Sequence, residues 1–118
     1  MPSVLITGAS RGIGAAAARA FAGADYTLLL LARPSGDLTA LAEELTAKGA
    51  TVHHHGTDLT DPMAIEPAIH TLCNLGGTPE VVINNAGAAY TGDLASMPLE
   101  RWQWLLQLNV TAVFQVCQ

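Results

Sequence analysis

The stretch "SVLITGASRGIGAAAARAFAG", residues 3–23, constrains this chain more than any other. A β-branched and aliphatic run (3–7) meets a turn carrying Gly8, Gly12 and Gly14, and an Ala-rich helical pattern follows at once. A strand that passes directly into a helix must hand its chain back over one face of a sheet, which is the start of a βαβ crossover. Within the helical pattern Ile13, Ala17, Ala20 and Phe21 recur at helical spacing, and Gly23 is placed to close it as a C-terminal cap.

The same alternation continues. "YTLLLLA" (26–32) is near-continuously apolar, as expected of a strand covered on both faces. "DLTALAEELTAK" (37–48) sets Leu38, Leu41, Ala42 and Leu45 on one helical face and ends at Gly49. "TVHHHGTD" (51–58) reads as a third strand, "AIEPAIHTLCNL" (64–75) as a third helix and "EVVIN" (80–84) as a fourth strand. "LERWQWLLQLNVTAVFQVCQ" (99–118) reads as a fourth helix. Pro67 conflicts with an uninterrupted third helix, so that helix is expected to begin near Glu66 or to be kinked. The fold class that follows is α/β: a doubly wound parallel sheet in three α/β/α layers, one domain over 1–118. The apolar "LNVTAVFQVCQ" carries no closing Gly, Pro or charge, so the chain is expected to be truncated after its fourth βα unit.

Composition narrows the partners. Half the residues are hydrophobic and 13% are charged, which suits a buried core. A formal charge of −5 gives no general attraction for nucleic acid or an anionic membrane. No apolar run is long enough to span a bilayer, and "MPSVLITG" carries no secretory pattern, so a cytoplasmic protein is expected. Cys73 and Cys117 stand in no metal or redox spacing and are read as reduced thiols. In "HHH" (53–55) only His53 and His55 share a strand face, and no acid or cysteine at ligand spacing joins them, so no metal site is expected. Trp102 and Trp104 cannot share a helix face; one is expected on the sheet and the other at a subunit contact.

The glycine turn carries the chemistry. Gly8 lets the chain leave the strand sharply, Gly12 removes a Cβ from the path of a pyrophosphate, and Gly14 allows close helix packing. The helix N-terminus offers free N–H groups and a positive dipole end to an anion. Four motifs then occur in order: "TGASRGIG" (7–14), Asp58-Leu59, "NNAG" (84–87) and Asn109 in "LNVTAVF". In this set the chain resembles the short-chain dehydrogenase/reductase family, whose cofactor motif is written TGxxxGxG.

That resemblance implies a Rossmann-type cofactor-binding half and an oxidoreductase that moves hydride between a nicotinamide and a carbonyl or secondary alcohol. It assigns Gly8, Ser10, Arg11, Gly12, Ile13 and Gly14 to the cofactor turn. Asp58 would accept from the adenine amino group, and Leu59 would pack near the ring. Asn85, Ala86 and Gly87 would line the nicotinamide-ribose end, Asn84 would brace the sheet, and Asn109 would hold a local break in its helix as a member of the catalytic tetrad. Residue type at the end of the second strand decides the cofactor. Arg33 stands where an NAD-dependent enzyme carries an acid, and a guanidinium can clamp a 2′-phosphate, so NADP(H) is the expected cofactor. Arg11 and Ser10 add a cation and a hydroxyl on the same side.

The family's Tyr-x-x-x-Lys pair is missing: Leu30 and Leu94 stand four residues after Tyr26 and Tyr90, and Lys48 is the only lysine. The chain alone is therefore expected to be inactive, and a homo-oligomer is expected to cover its last helix. A non-catalytic NADP(H)-binding sensor fits the same motifs; a methyltransferase fits poorly, since Arg33 replaces the acid it would use on a ribose.

Overall fold

The computed structural model describes residues 2–118. Its order is β1 (Ser3–Thr7), α1 (Gly12–Gly23), β2 (Thr27–Ala32), α2 (Gly36–Ala47), β3 (Val52–Gly56), α3 (Pro62–Gly76) and β4 (Val81–Ile83). A 3-10 turn (Leu94–Ser96), α4 (Leu99–Leu106), a π-helical segment (Gln107–Thr111) and α5 (Ala112–Cys117) follow. All strand pairs are parallel, in the spatial order β3-β2-β1-β4.

The period-two alternation of the strands makes the layers. Val4, Ile6, Leu28 and Leu30 face one side, where Ala15 and Ala18 of α1 and Leu38, Leu41 and Leu45 of α2 cover them. Leu5, Leu29 and Leu31 face the other, against Ile65, Ala68 and Leu72 of α3 and Ala112 and Val116 of α5. Every residue of β2 is buried, as its unbroken apolar run predicts. Across the outer surface, Arg19 of α1 donates to both carboxylate oxygens of Glu44 on α2, at 2.9 and 3.2 Å.

Because β1 pairs with both β2 and β4, the chain first winds outward through β2 and β3 and then returns to the other side of β1. That reversal opens a crevice at the carboxyl ends of β1 and β4, where ligands of such sheets bind.

Four local expectations need correction. Ile13 and Ala20 do not belong to the buried face of α1, which is Gly14, Ala15 and Ala18; Ile13 is 78% exposed, because the helix rests on its smallest residues. Gly23 is still helical, and the reversal falls at Asp25, in the left-handed region at φ 65°. The third helix starts before Glu66. Pro62 occupies its first turn and Asp61 caps it, accepting from the Met63 N–H at 3.1 Å, so Pro67 lies inside the helix and removes one donor. The fourth helix is three segments rather than one, with its middle turn widened to π geometry.

Leu30→Ala is expected to cost about 2–5 kcal/mol by leaving a core cavity, whereas Ile13→Ala should stay within about 0.5 kcal/mol. Urea unfolding followed by circular dichroism checks both.

Candidate functional site at the β1–β4 crevice

The glycine turn is held by contacts that only glycines permit. Gly8 (φ 63°) and Gly12 (φ 56°) both lie in the left-handed region. A Cβ on Gly14 would stand 2.1 Å from the Gly8 carbonyl oxygen, so the first turn of α1 sits directly on the strand exit. A Cβ on Gly8 would meet the Ala86 backbone at 2.9 Å, whereas one on Gly12 would meet nothing within 4 Å. Arg11, at the N-cap, makes no side-chain cap, so the turn leaves the helix N-terminus to an outside acceptor.

Thr7 joins this turn to the loop after β4. Its buried hydroxyl oxygen accepts from the Asn85 N–H at 3.1 Å and the Ala86 N–H at 3.0 Å. The Asn85 side chain closes the ring, donating from Nδ2 to the Gly8 carbonyl at 3.1 Å. Thr7 thus ties the end of β1 to this loop, a role that residue type alone did not assign. Its signal was a hydroxyl at the carboxyl end of a central strand, one residue before the glycine.

A cleft of about 620 Å³ runs along these ends. Gly8, Ser10 and Arg11 line it from the first turn and Arg33 from the end of β2. Asp58 and Leu59 follow β3, and Asn85, Ala86 and Gly87 follow β4. The structure thus brings together nine of the thirteen candidate positions. Gly12 and Ile13 stand at the exposed start of α1, Gly14 is buried beneath the turn, and Asn109 lies behind the Gly87 loop. Leu59 is only 5% exposed and belongs mainly to the α3-side core, so its part in the cleft is a wall rather than a free face.

Among the described residues neither Arg11 nor Arg33 makes an ion pair, while Arg19 and Lys48 both hold Glu44. Asp58 Oδ1 accepts from the Thr60 hydroxyl at 2.6 Å and the Thr60 N–H at 2.9 Å. This turn is separate from the helix cap, which Asp61 supplies. The Thr60 hydroxyl, the Thr60 N–H and, to a smaller extent, the Arg33 charge hold the Asp58 carboxyl below its ordinary range, against a small cost of burial.

Asn109 sits in the π segment. Its Oδ1 accepts from the Ala88 N–H at 3.0 Å, and its Nδ2 donates to the Ala88 carbonyl at 2.9 Å, so one side chain clamps a whole peptide unit of the loop. A Cβ on Gly87 would come 2.9 Å from Asn109 Oδ1, which gives the last glycine of "NNAG" its reason. Asn84 is exposed and reaches Cys117 Sγ at 3.5 Å, so it touches α5 instead of bracing the sheet. Neither tryptophan packs on the sheet: Trp102 is exposed, and Trp104 lines the cleft.

Fold, glycine turn and clamped loop together define a Rossmann-type α/β unit. The short chain dehydrogenase family model matches residues 2–118, and the chain belongs to that family. It is 37% identical over 114 residues to sulfoacetaldehyde reductase 2 of Chromohalobacter salexigens, covering 96% of this chain and 45% of that protein. It is 31% identical over 114 residues to D-beta-hydroxybutyrate dehydrogenase of Rhizobium meliloti, covering 95% and 44%. Among solved structures, a blue fluorescent protein from a metagenomic library, in complex with NADPH, superposes at TM-score 0.94 with 31% identity, covering 99% of this chain and 49% of that one. A short-chain dehydrogenase from Sphingobium yanoikuyae in complex with NADPH superposes at 0.89 with 37% identity, covering 99% and 46%. The chain spans less than half the length of each of these relatives.

Thr7→Val should strand the Asn85 and Ala86 donors and lower stability by roughly 1–3 kcal/mol, while Thr7→Ser, which keeps the oxygen, should recover most of it; chemical denaturation reads both. For Asp58 the folded-state value is lowered, so its contribution is present above the ordinary aspartate range and is lost as pH falls through the lowered folded value. The Thr60 amide resonance should accordingly titrate with a midpoint below that of an unperturbed aspartate, and Asp58→Asn should abolish the step.

Proposed function

We propose that this chain is the cofactor-binding part of an NADP(H)-dependent oxidoreductase that interconverts a carbonyl and a secondary alcohol. One observation carries the choice of cofactor: Arg33 and Arg11 line the same cleft as the glycine turn, and among the described residues neither is neutralised by an ion pair. The NADPH complexes of the two structural relatives support the reading. The residues fit such a cofactor on geometry as well. The uncapped N-terminus of α1, with open space at Gly12, suits a pyrophosphate, and Arg33 with Arg11 and Ser10 suits a 2′-phosphate. Asp58 Oδ1 is taken by Thr60, which leaves Asp58 Oδ2 to accept from an adenine amino group.

When bound, the nicotinamide would supply or accept hydride; the chain's own part is to hold and orient it. The Asn85–Gly87 loop, fixed by Thr7 on one side and Asn109 on the other, forms the floor of the reactive end. Asn109 acts by positioning the Ala88 peptide. Gly8, Gly12, Ile13 and Gly14 shape the entry to α1, and Leu59 closes the wall beside Asp58.

Proton transfer needs a group that this chain does not carry. Tyr26 stacks edge-on against Phe21, and Lys48 is drawn to Glu44 at 3.7 Å. Neither the sequence nor the fold pairs a tyrosine with a lysine, so the fully competent site requires a Tyr-Lys pair from outside these residues. The same motifs fit a second reading, a non-catalytic NADP(H)-binding sensor. A Ser and a Tyr-x-x-x-Lys in sequence joined to this chain would decide for the enzyme. Leu99, Trp102, Val110 and Phe114 expose apolar surface along α4, the π segment and α5, which supports a homo-oligomer built on these segments. Among the described residues no helix is long and apolar enough to cross a membrane, in keeping with a proposed cytoplasmic location.

Arg33→Asp should reduce NADPH affinity by roughly tenfold or more while leaving NADH affinity unchanged or improved; isothermal titration with both cofactors tests it. Equal NADPH affinity in parent and variant would overturn the cofactor assignment. The chain by itself should reduce no carbonyl with NADPH, and measurable turnover would refute the need for an added Tyr-Lys pair.

A further inference from the structure

Among the described residues, Trp104 is the one large aromatic side chain in the wall of the cleft. Nothing in the glycine turn, the Asp58 turn or the Asn109 clamp accounts for it. The residues that follow it along the π segment and α5 tie this part of the chain to the loop after β3. Leu108, one turn on, lines the same cleft and packs with the cluster that holds Leu59. Gln107, three residues on, donates to the Leu59 carbonyl at 3.3 Å and to Gln115 Oε1 at 2.9 Å. Gln115 in turn donates to the Pro62 carbonyl at 3.2 Å. This bracket binds the end of α4 and the π segment to the Asp58–Pro62 loop. Trp104, one turn before this bracket, lines the same cleft as Asp58 and Thr60.

The ring is also held in place. The Arg101 guanidinium lies 4.8 Å from its centroid, three residues back on the same helix. A cation over an indole is worth more as it is shielded from water, and it fixes the side chain while part of its surface remains open to the cleft. A half-buried, pre-oriented indole in a polar cleft is a surface for stacking a flat heterocycle.

We propose that Trp104 is a binding residue for the adenine ring, supplying the stacking surface of the Asp58 end, with Arg101 as the residue that positions it. The proposal rests on the NADP(H) reading above. It places Asp58 at the edge of the base and Trp104 on its face, so that hydrogen bonding selects the heterocycle and stacking supplies affinity.

The test uses 2′,5′-ADP, which carries adenine and the 2′-phosphate without the nicotinamide half. In a Trp102→Phe background Trp104 is the sole tryptophan, and its fluorescence should be quenched saturably by the nucleotide. Trp104→Leu should weaken 2′,5′-ADP roughly tenfold, while Trp104→Phe, which keeps a stacking ring, should stay within about threefold of the parent. Trp104 lies on the cleft wall outside both core clusters, and an unchanged circular dichroism spectrum checks that Trp104→Leu remains folded. Parent and Trp104→Leu binding 2′,5′-ADP equally would overturn the role of Trp104 and leave the cofactor reading intact. A parent chain that binds neither 2′,5′-ADP nor NADPH would overturn the cofactor reading and this one with it.

Discussion

The approach of α1 to the end of β1 governs the rest of the structure. At Gly14 the helix lies so close to the Gly8 carbonyl that any side chain would stand 2.1 Å from it. The Asn85 amide approaches the same carbonyl from the other side at 3.1 Å. Three segments, β1, α1 and the loop after β4, thus meet at one oxygen atom. One residue earlier, the buried Thr7 hydroxyl oxygen accepts from two further donors, the Asn85 and Ala86 N–H groups. Buried donors of this kind must be paired, so the loop after β4 has one place to go. The crevice exists because the sheet reverses there, and it keeps its shape because these bonds hold both lips.

The far side of the loop depends on a helix defect. A regular helix over 99–117 would present its side chains at a fixed 3.6-residue period. The π turn at Gln107–Thr111 changes that phase. It lets Asn109 reach the Ala88 peptide while Gln107 and Gln115 bind the loop after β3. The segment therefore connects the two ends of the cleft. π bulges are costly and recur at functional sites, and here the widened turn is matched by side-chain bonds on both of its flanks.

Much of the fold was legible in the chain because its signals are local. The apolar run of β2, the face of α2 and the order of strands and helices follow from periodicity alone. The chemistry-bearing glycines were legible too, since each replaces a side chain that the backbone could not accommodate. The errors have physical causes. Ile13 fits a helical stripe in sequence, but Gly14, Ala15 and Ala18 take the buried face of α1, with Ala17 and Phe21 packed at its margin. Pro67 suggested a late helix start because local propensity ignores the cap that Asp61 and Pro62 provide further back. The bonds of Thr7 and the place of Trp104 on the cleft, rather than on the sheet, depend on residues far away in sequence.

The sequence by itself determined the alternation of elements, the glycine turn, the cation at position 33 and the absence of a Tyr-x-x-x-Lys pair. Each depends on residue type and near spacing. Tertiary structure alone decided that Thr7 and Asn85 share a hydrogen-bond ring across 78 residues. It also decided that Arg11 and Arg33 open on one cleft, and that an indole from α4 lines the same cleft. Those contacts arise only when the parallel sheet sets β1, β2, β3 and β4 side by side with their carboxyl ends level. Neighbours in that row are distant in sequence, and no local preference encodes their meeting.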